Sequence, residues 1–201
     1  MRLSRLLTRA LVGGLFIGHG TQKLFGWFGG HGPEGTGQFL ESTGLRPGRR
    51  NALASGGAEA AGGALLVLGF LTPLAGAALS SVMITAIRHV HFEKGVWSSG
   101  GGYEYNAVML ATIFALVEAG PGAVSVDRLL GSERSGAAWA TAQLAAGAAG
   151  SAAVSELARR HADREQPPER VAYPLEATEP EVAEAADARS GARGGRSAAA
   201  A

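Results

Sequence analysis

The stretch AEAAGGALLVLGFLTPLA, Ala58 to Ala75, decides the fold. An apolar run of helix-forming residues ends at Thr72-Pro73, and a second apolar run leaves from Pro73 toward Ile87. Proline suits the first turn of a helix and cannot sit in its interior, so one helix stops here and another starts. With so short a joint, the two must fold back on each other as an antiparallel hairpin. The same stretch holds Glu59 within its apolar run, a carboxylate that needs a partner if it is buried.

Outward from the hairpin, apolar segments cover Ala10 to Phe28, Ala52 to Leu71, Pro73 to Ile87 and Tyr105 to Val117. A bilayer core of about 30 Å needs roughly 20 helical residues, which the first two supply; the last two fit as tilted or partly interfacial helices. The runs lack a polar face of ordinary width, which argues against a soluble helical protein. The expected fold class is therefore all-α, an integral membrane four-helix bundle, in a chain whose composition is 46% hydrophobic and 17% charged. The expected location is the bacterial plasma membrane, crossed several times, with the lipid bilayer as first partner. Cysteine is absent, so disulfides, thiolate nucleophiles and cysteine metal sites are excluded. A net charge of +1 without a basic, aromatic-studded stripe gives nucleic-acid binding no support.

Residues 1–131 form the expected membrane domain. Its start, MRLSRLLTR, resembles a signal-peptide n-region, but no small-x-small cleavage site follows and it reads as a retained anchor. Gly29 to Arg50 and Arg88 to Glu104 are polar, glycine-rich connections on one side of the bundle, bordered by Trp27, Phe28, Trp97, Tyr103 and Tyr105 as an interfacial belt. Residues 132–158 hold an Ala-rich helix, with Gly136 to Val154 as an optional fifth membrane segment. Residues 159–201, rich in Ala, Arg, Glu and Pro, read as a disordered tail. Three arginines among the first nine residues favour a cytoplasmic N-terminus, and four crossings would return the tail to that side.

The ionisable groups within this frame are the candidate site. On a helix His19, Gln22 and Lys23 share a face. His19 lies about 13 Å from the end of helix 1, and Glu59 lies about 12 Å from the same surface, at a rise of 1.5 Å per residue. His19 or a back-reaching Lys23 is thus the natural partner for Glu59. Arg88, His89 and His91 follow the third apolar segment, and Glu104 and Asn106 open the fourth, so all nine residues form one expected shallow polar pocket. His89 and His91 lack a third ligand, and no metal is expected. The glycines Gly14 and Gly18, with the pairs at Gly56 and Gly62, are read as close-packing positions. The loop from Gly29 to Gly37 lacks the strand and the Lys-Ser/Thr of a phosphate loop.

The motifs HGTQKLFGWFGGHGPEGT, AEAAGGALLVLGFLTPLA, HVHFEKGVW and GGGYEYN, in this order between Leu6 and Gly131, resemble the DoxX family of small bacterial membrane proteins. That resemblance implies a four-helix membrane protein. Its namesakes DoxD and DoxA are associated with thiosulfate:quinone oxidoreductase, which implies a subunit or accessory of a membrane redox system, a protein partner, and quinone as the expected cofactor. A thiol relay within this chain is excluded by its lack of cysteine. The alternatives are a non-catalytic membrane scaffold, whose polar groups only hold the bundle together, and a small transporter, for which no internal repeat is seen.

Overall fold

The computed structural model describes residues 3–165, which are helical and contain no strand. The long helices are α1 (Leu3–Phe25), α3 (Gly48–Leu68), α4 (Thr72–Ala86), α5 (Glu104–Ala119) and α7 (Ala137–Glu165). Two shorter ones are α2 (Gly32–Ser42) and α6 (Val126–Leu129). Each of the four expected apolar helices is present. The connection read as a loop from Gly29 to Arg50 instead contains α2, which Pro33 starts at its first turn. The last helix runs to Glu165, seven residues into the segment expected to be tail, supported by ion pairs from Glu156 to Arg159 and Arg160 one turn on. Residues 166–201, where the rest of the expected tail falls, lie outside the described residues.

The hairpin between α3 and α4 turns in three residues. Gly69 takes φ +62° at the end of α3, and the Gly69 and Phe70 N–H groups return to Leu66 and Leu65 carbonyls. A side chain at Gly69 would meet the Arg9 guanidinium as well as the strained φ. α1 packs antiparallel on α3 through glycine: an added Cβ at Gly20 would lie 2.5 Å from the Ala60 nitrogen, and one at Gly13 would lie 2.6 Å from the Gly63 carbonyl. Gly14 and Gly18, expected as the packing pair, face open space instead; Gly13 and Gly20, one helical face away, do the packing. Val12, Phe16, Leu66, Ala75, Leu79, Met83, Met109, Ile113 and Leu116 form the apolar core between α1, α3, α4 and α5.

α7 lies alongside α4 and parallel to it. Ser80 meets Gln143, Thr85 meets Ser151 and His89 meets Ser155, while Gly147 lets the helices close on Ser80. Because α4 and α7 run the same way, the start of α7 lies at the Arg9 end of the bundle and its finish lies at the Lys23 end.

The Arg9 end is tied by two charged side chains. Buried Arg9 donates Nε to Leu66 O (2.9 Å), Nη2 to Val67 O (2.7 Å) and Nη1 to the carbonyls of Pro121 and Val124. Buried Asp127 accepts from Leu71 N, Thr72 N and Thr72 Oγ1, and so caps the start of α4. Among the described helices, the continuous stretch Thr72–Lys94 is the one long and apolar enough to cross a membrane by length and composition. The helices that hold the two stretches expected to be long enough are diluted by Arg5, Arg9 and Lys23 in α1 and by the dense Gly and Ala of α3.

Candidate functional site

At the Lys23 end, α2 folds under the bundle and closes one side of a cavity of 410 Å³. Phe39 and Leu40 of α2, Ala54 and Ala58 of α3, and Val82 of α4 make its apolar wall. Lys23, Asn51, Ser55, Thr85 and His91 bring polar groups to it. A volume of this size, mainly apolar with a few convergent polar groups, is the usual form of a small-molecule site.

Lys23 reaches this wall from the last turn of α1. Its Nζ lies 2.6 Å from Glu59 Oε1, with the lysine side chain 26% exposed and the carboxylate 3% exposed. The pair spans α1 and α3 and supplies the partner that Glu59 needed. Glu59 Oε2 is buried and meets no donor. His91 sits where α4 widens into a π turn over Ile87–His91. Its Nδ1 donates to the Gly101 carbonyl at 2.7 Å, which fixes the ring tautomer and leaves Nε2 for other contacts.

The nine residues expected to share one pocket separate into distinct sites. Lys23 and Glu59 pair, and Lys23 and His91 line the cavity. His19 is exposed and meets Gln22 Oε1 at 3.1 Å, while Gln22 Nε2 donates to Phe28 O; both lie outside the cavity lining. Arg88 and His89 line an adjoining cleft with Thr43 and Phe92, which shares Phe39 and Val90 with the cavity, and His89 lies between Thr43 O (3.3 Å) and Ser155 Oγ (2.8 Å). Glu104 accepts from Ser98 N and organises its loop. Asn106 is buried with Nδ2 3.5 Å from Met83 Sδ. Thr36, Phe39 and Leu40 were not foreseen, because their segment read as a loop; its Pro33 and the spacing of Phe39 and Leu40 after it were the available signal.

The DoxX family's sequence model matches residues 4–92. Residues 4–92 are thus similar to a DoxX domain. This span holds Lys23, Glu59 and His91, and every residue lining the cavity except Val154. The GGGYEYN motif and α5 to α7 lie beyond the matched span. DoxX proteins are associated with membranes, and the stretch Thr72–Lys94 agrees with that setting. No curated protein and no solved structure matches the chain.

Proposed function

We propose that this chain is a multi-pass integral membrane protein of the bacterial plasma membrane in which α1, α3, α4, α5 and α7 all cross the bilayer. Its proposed role is that of a subunit of a membrane redox system, with the cavity beside Lys23 taking a quinone headgroup. Support for the membrane setting comes from the surface. Leu3, Leu7, Leu11 and Leu15 form a ladder along α1 that is 44% to 65% exposed, and Leu74 and Val108 are also exposed. Such a continuous apolar face in water would be an aggregation hazard, whereas lipid covers it without cost. The polar side chains Arg9, Glu59, Ser80, Gln143 and Ser151 point inward, the arrangement expected where the solvent is hydrocarbon. Phe25, Trp27, Phe28, Phe92 and Trp97 are exposed together at the Lys23 end, as in an interfacial belt.

The observation that carries the quinone reading is the cavity, with an ammonium and an imidazole in an otherwise apolar wall. A bound quinone would supply reversible transfer of two electrons and two protons. The chain's part is to hold the ring between Phe39, Leu40 and Val82, to present the Lys23 ammonium and His91 imidazole as hydrogen-bonding and proton-exchanging groups, and to keep water out. Glu59 holds Lys23 in place.

The test is a thermal-shift titration of the purified full chain in detergent with a short-tailed benzoquinone and naphthoquinone. A saturable rise in midpoint is expected, abolished by Ala58→Trp, which fills the cavity, and retained by Arg88→Gln in the neighbouring cleft. A shift that survives Ala58→Trp, or none in the parent chain, rejects the quinone site. A second reading, the non-catalytic scaffold, is favoured by the use of Arg9, Asp127 and Ser80 in bonds between segments. Recovery of a stoichiometric protein partner without quinone binding would select it.

A further inference from the structure

The Lys23 end carries a second concave site, which adjoins the cavity beside Lys23 along Asn51, Ala54 and Val154. Between the start of α3 and the last turns of α7 lies a groove of 480 Å³. Arg46 and Arg50 border it from the α3 side, and Arg160, His161 and Arg164 border it from α7. Its remaining wall includes Ala54, Val154 and Leu157, and Leu157 is 65% exposed. The groove is therefore cationic on one side and apolar on the other.

Its charge is cancelled only in part among the described residues. Glu156 pairs with Arg159 and Arg160, and Glu165 lies 3.8 Å from His161. Arg46, Arg50 and Arg164 make no ion pair among the described residues. The apolar part begins where the charged residues of both helices stop: α3 carries no charge between Arg50 and Glu59, and α7 carries none between its start and Glu156. Given the membrane reading above, that change marks the level of the bilayer surface. A groove that joins guanidinium groups to apolar walls at this level matches one ligand chemistry, a phosphodiester attached to acyl chains. Arginine suits it, since its planar fork binds phosphate oxygens in pairs.

We propose that the groove between α3 and α7 binds the headgroup of an anionic phospholipid, with Arg46, Arg50 and Arg164 on the phosphate and Ala54, Val154 and Leu157 against the acyl chains. The site holds the charged end of α7 against α3, and its arginines lie outside the lining of the adjoining cavity beside Lys23. It rests on the membrane setting and not on the quinone.

The test uses the full chain in a neutral detergent. Thermal midpoints are measured against dioleoylphosphatidylglycerol, dioleoylphosphatidylcholine and inorganic phosphate. The phosphatidylglycerol arm should raise the midpoint by several degrees, the other two should leave it unchanged, and salt should weaken the effect. The variant R46Q/R50Q/R164Q should lose the shift, while R49Q/R159Q, which removes the neighbouring arginines, should keep it. Should the triple variant fold poorly, R50Q and R164Q singly should each raise the lipid concentration for half-maximal shift by about fivefold, the effect of removing one such charge. Equal shifts in parent and triple variant, or no rise in half-maximal concentration in the single variants, would overturn the site. A shift reproduced by inorganic phosphate would assign it to a free anion instead. Carbonate extraction of native membranes separates the failures. Release of the chain rejects the membrane setting, and retention with indifference to phosphatidylglycerol rejects the lipid site alone.

Discussion

Glu59 and Lys23 make an unequal pair, and the inequality can be measured. The lysine is 26% exposed and can turn its ammonium toward water, whereas the carboxylate is 3% exposed and has no such route. Lys23→Leu should therefore cost about 3–5 kcal/mol by stranding a buried charge, Glu59→Leu should cost less, and the double variant should recover most of the loss. Equal single costs that add in the double variant, measured by denaturant or thermal unfolding in detergent, would mean the two side chains are not coupled. At the other end of the bundle Asp127 sets an acid limit. Burial pushes its carboxyl up, but the bonds from Thr72, Leu71 and Ser132 outweigh burial and hold it below the usual carboxylate range. Its contribution is then complete above the unfolded value of about 3.9 and is lost as pH falls through the lower folded value. Asp127→Ala should destabilise by about 2–3 kcal/mol at neutral pH, and the loss should shrink below pH 4. A variant whose deficit stays constant down to pH 2 would show that the charge of Asp127 does not hold α4.

At the scale of elements, glycine decides which helices touch. Gly20→Ala would drive a methyl into the Ala60 backbone and should cost about 1–3 kcal/mol, while Gly18→Ala meets nothing and should be neutral or stabilising by up to about 1 kcal/mol. Thermal midpoints of the two variants give the answer, and a Gly18 variant that falls as far as the Gly20 variant would disprove the packing. This contrast also shows what was legible in the sequence. The four apolar helices, the turn at Thr72-Pro73 and the need of Glu59 for a partner could be read, because apolar runs, proline and a lone carboxylate each leave a local mark. The choice of Gly13 and Gly20 over Gly14 and Gly18 could not, since α1 is rich in glycine on several faces and only the partner helix selects one. Arg9 read as one more N-terminal cation because its partners are four backbone carbonyls, which have no sequence signature. The cavity wall from α2 was hidden by the five glycines between Gly29 and Gly37, three of them in α2, which look like a loop until Pro33 is taken as a helix start. The polar residues at the Lys23 end were expected in one pocket, but the π turn and α2 divide them between two adjoining clefts and the loops beside them.

For the whole molecule, the parallel course of α4 and α7 changes the topology expected from four crossings. If all five long helices span the bilayer as proposed, five crossings put Leu3 and Glu165 on opposite sides. Charge then chooses the sides. Arg46, Arg49, Arg50, Arg88, Lys94, Arg159, Arg160 and Arg164 lie in the connections and helix ends of the Lys23 end, against Arg5, Arg128 and Arg134 at the other end with Arg9 buried. Cationic connections tend to stay in the cytoplasm, so on this topology the Lys23 end is proposed to face inward, opposite to the side expected from the three N-terminal arginines. The groove proposed for an anionic headgroup then opens on the leaflet whose surface charge is negative. Because the chain has no cysteine, single substitutions at exposed positions report sidedness without background. Ser98→Cys and Glu165→Cys should be shielded from a membrane-impermeant maleimide in intact cells and react after permeabilisation, while Ser4→Cys should react from outside. Labelling of Ser4 and Glu165 from the same side would leave α7 as a helix that does not cross, and the bundle would return to four spans.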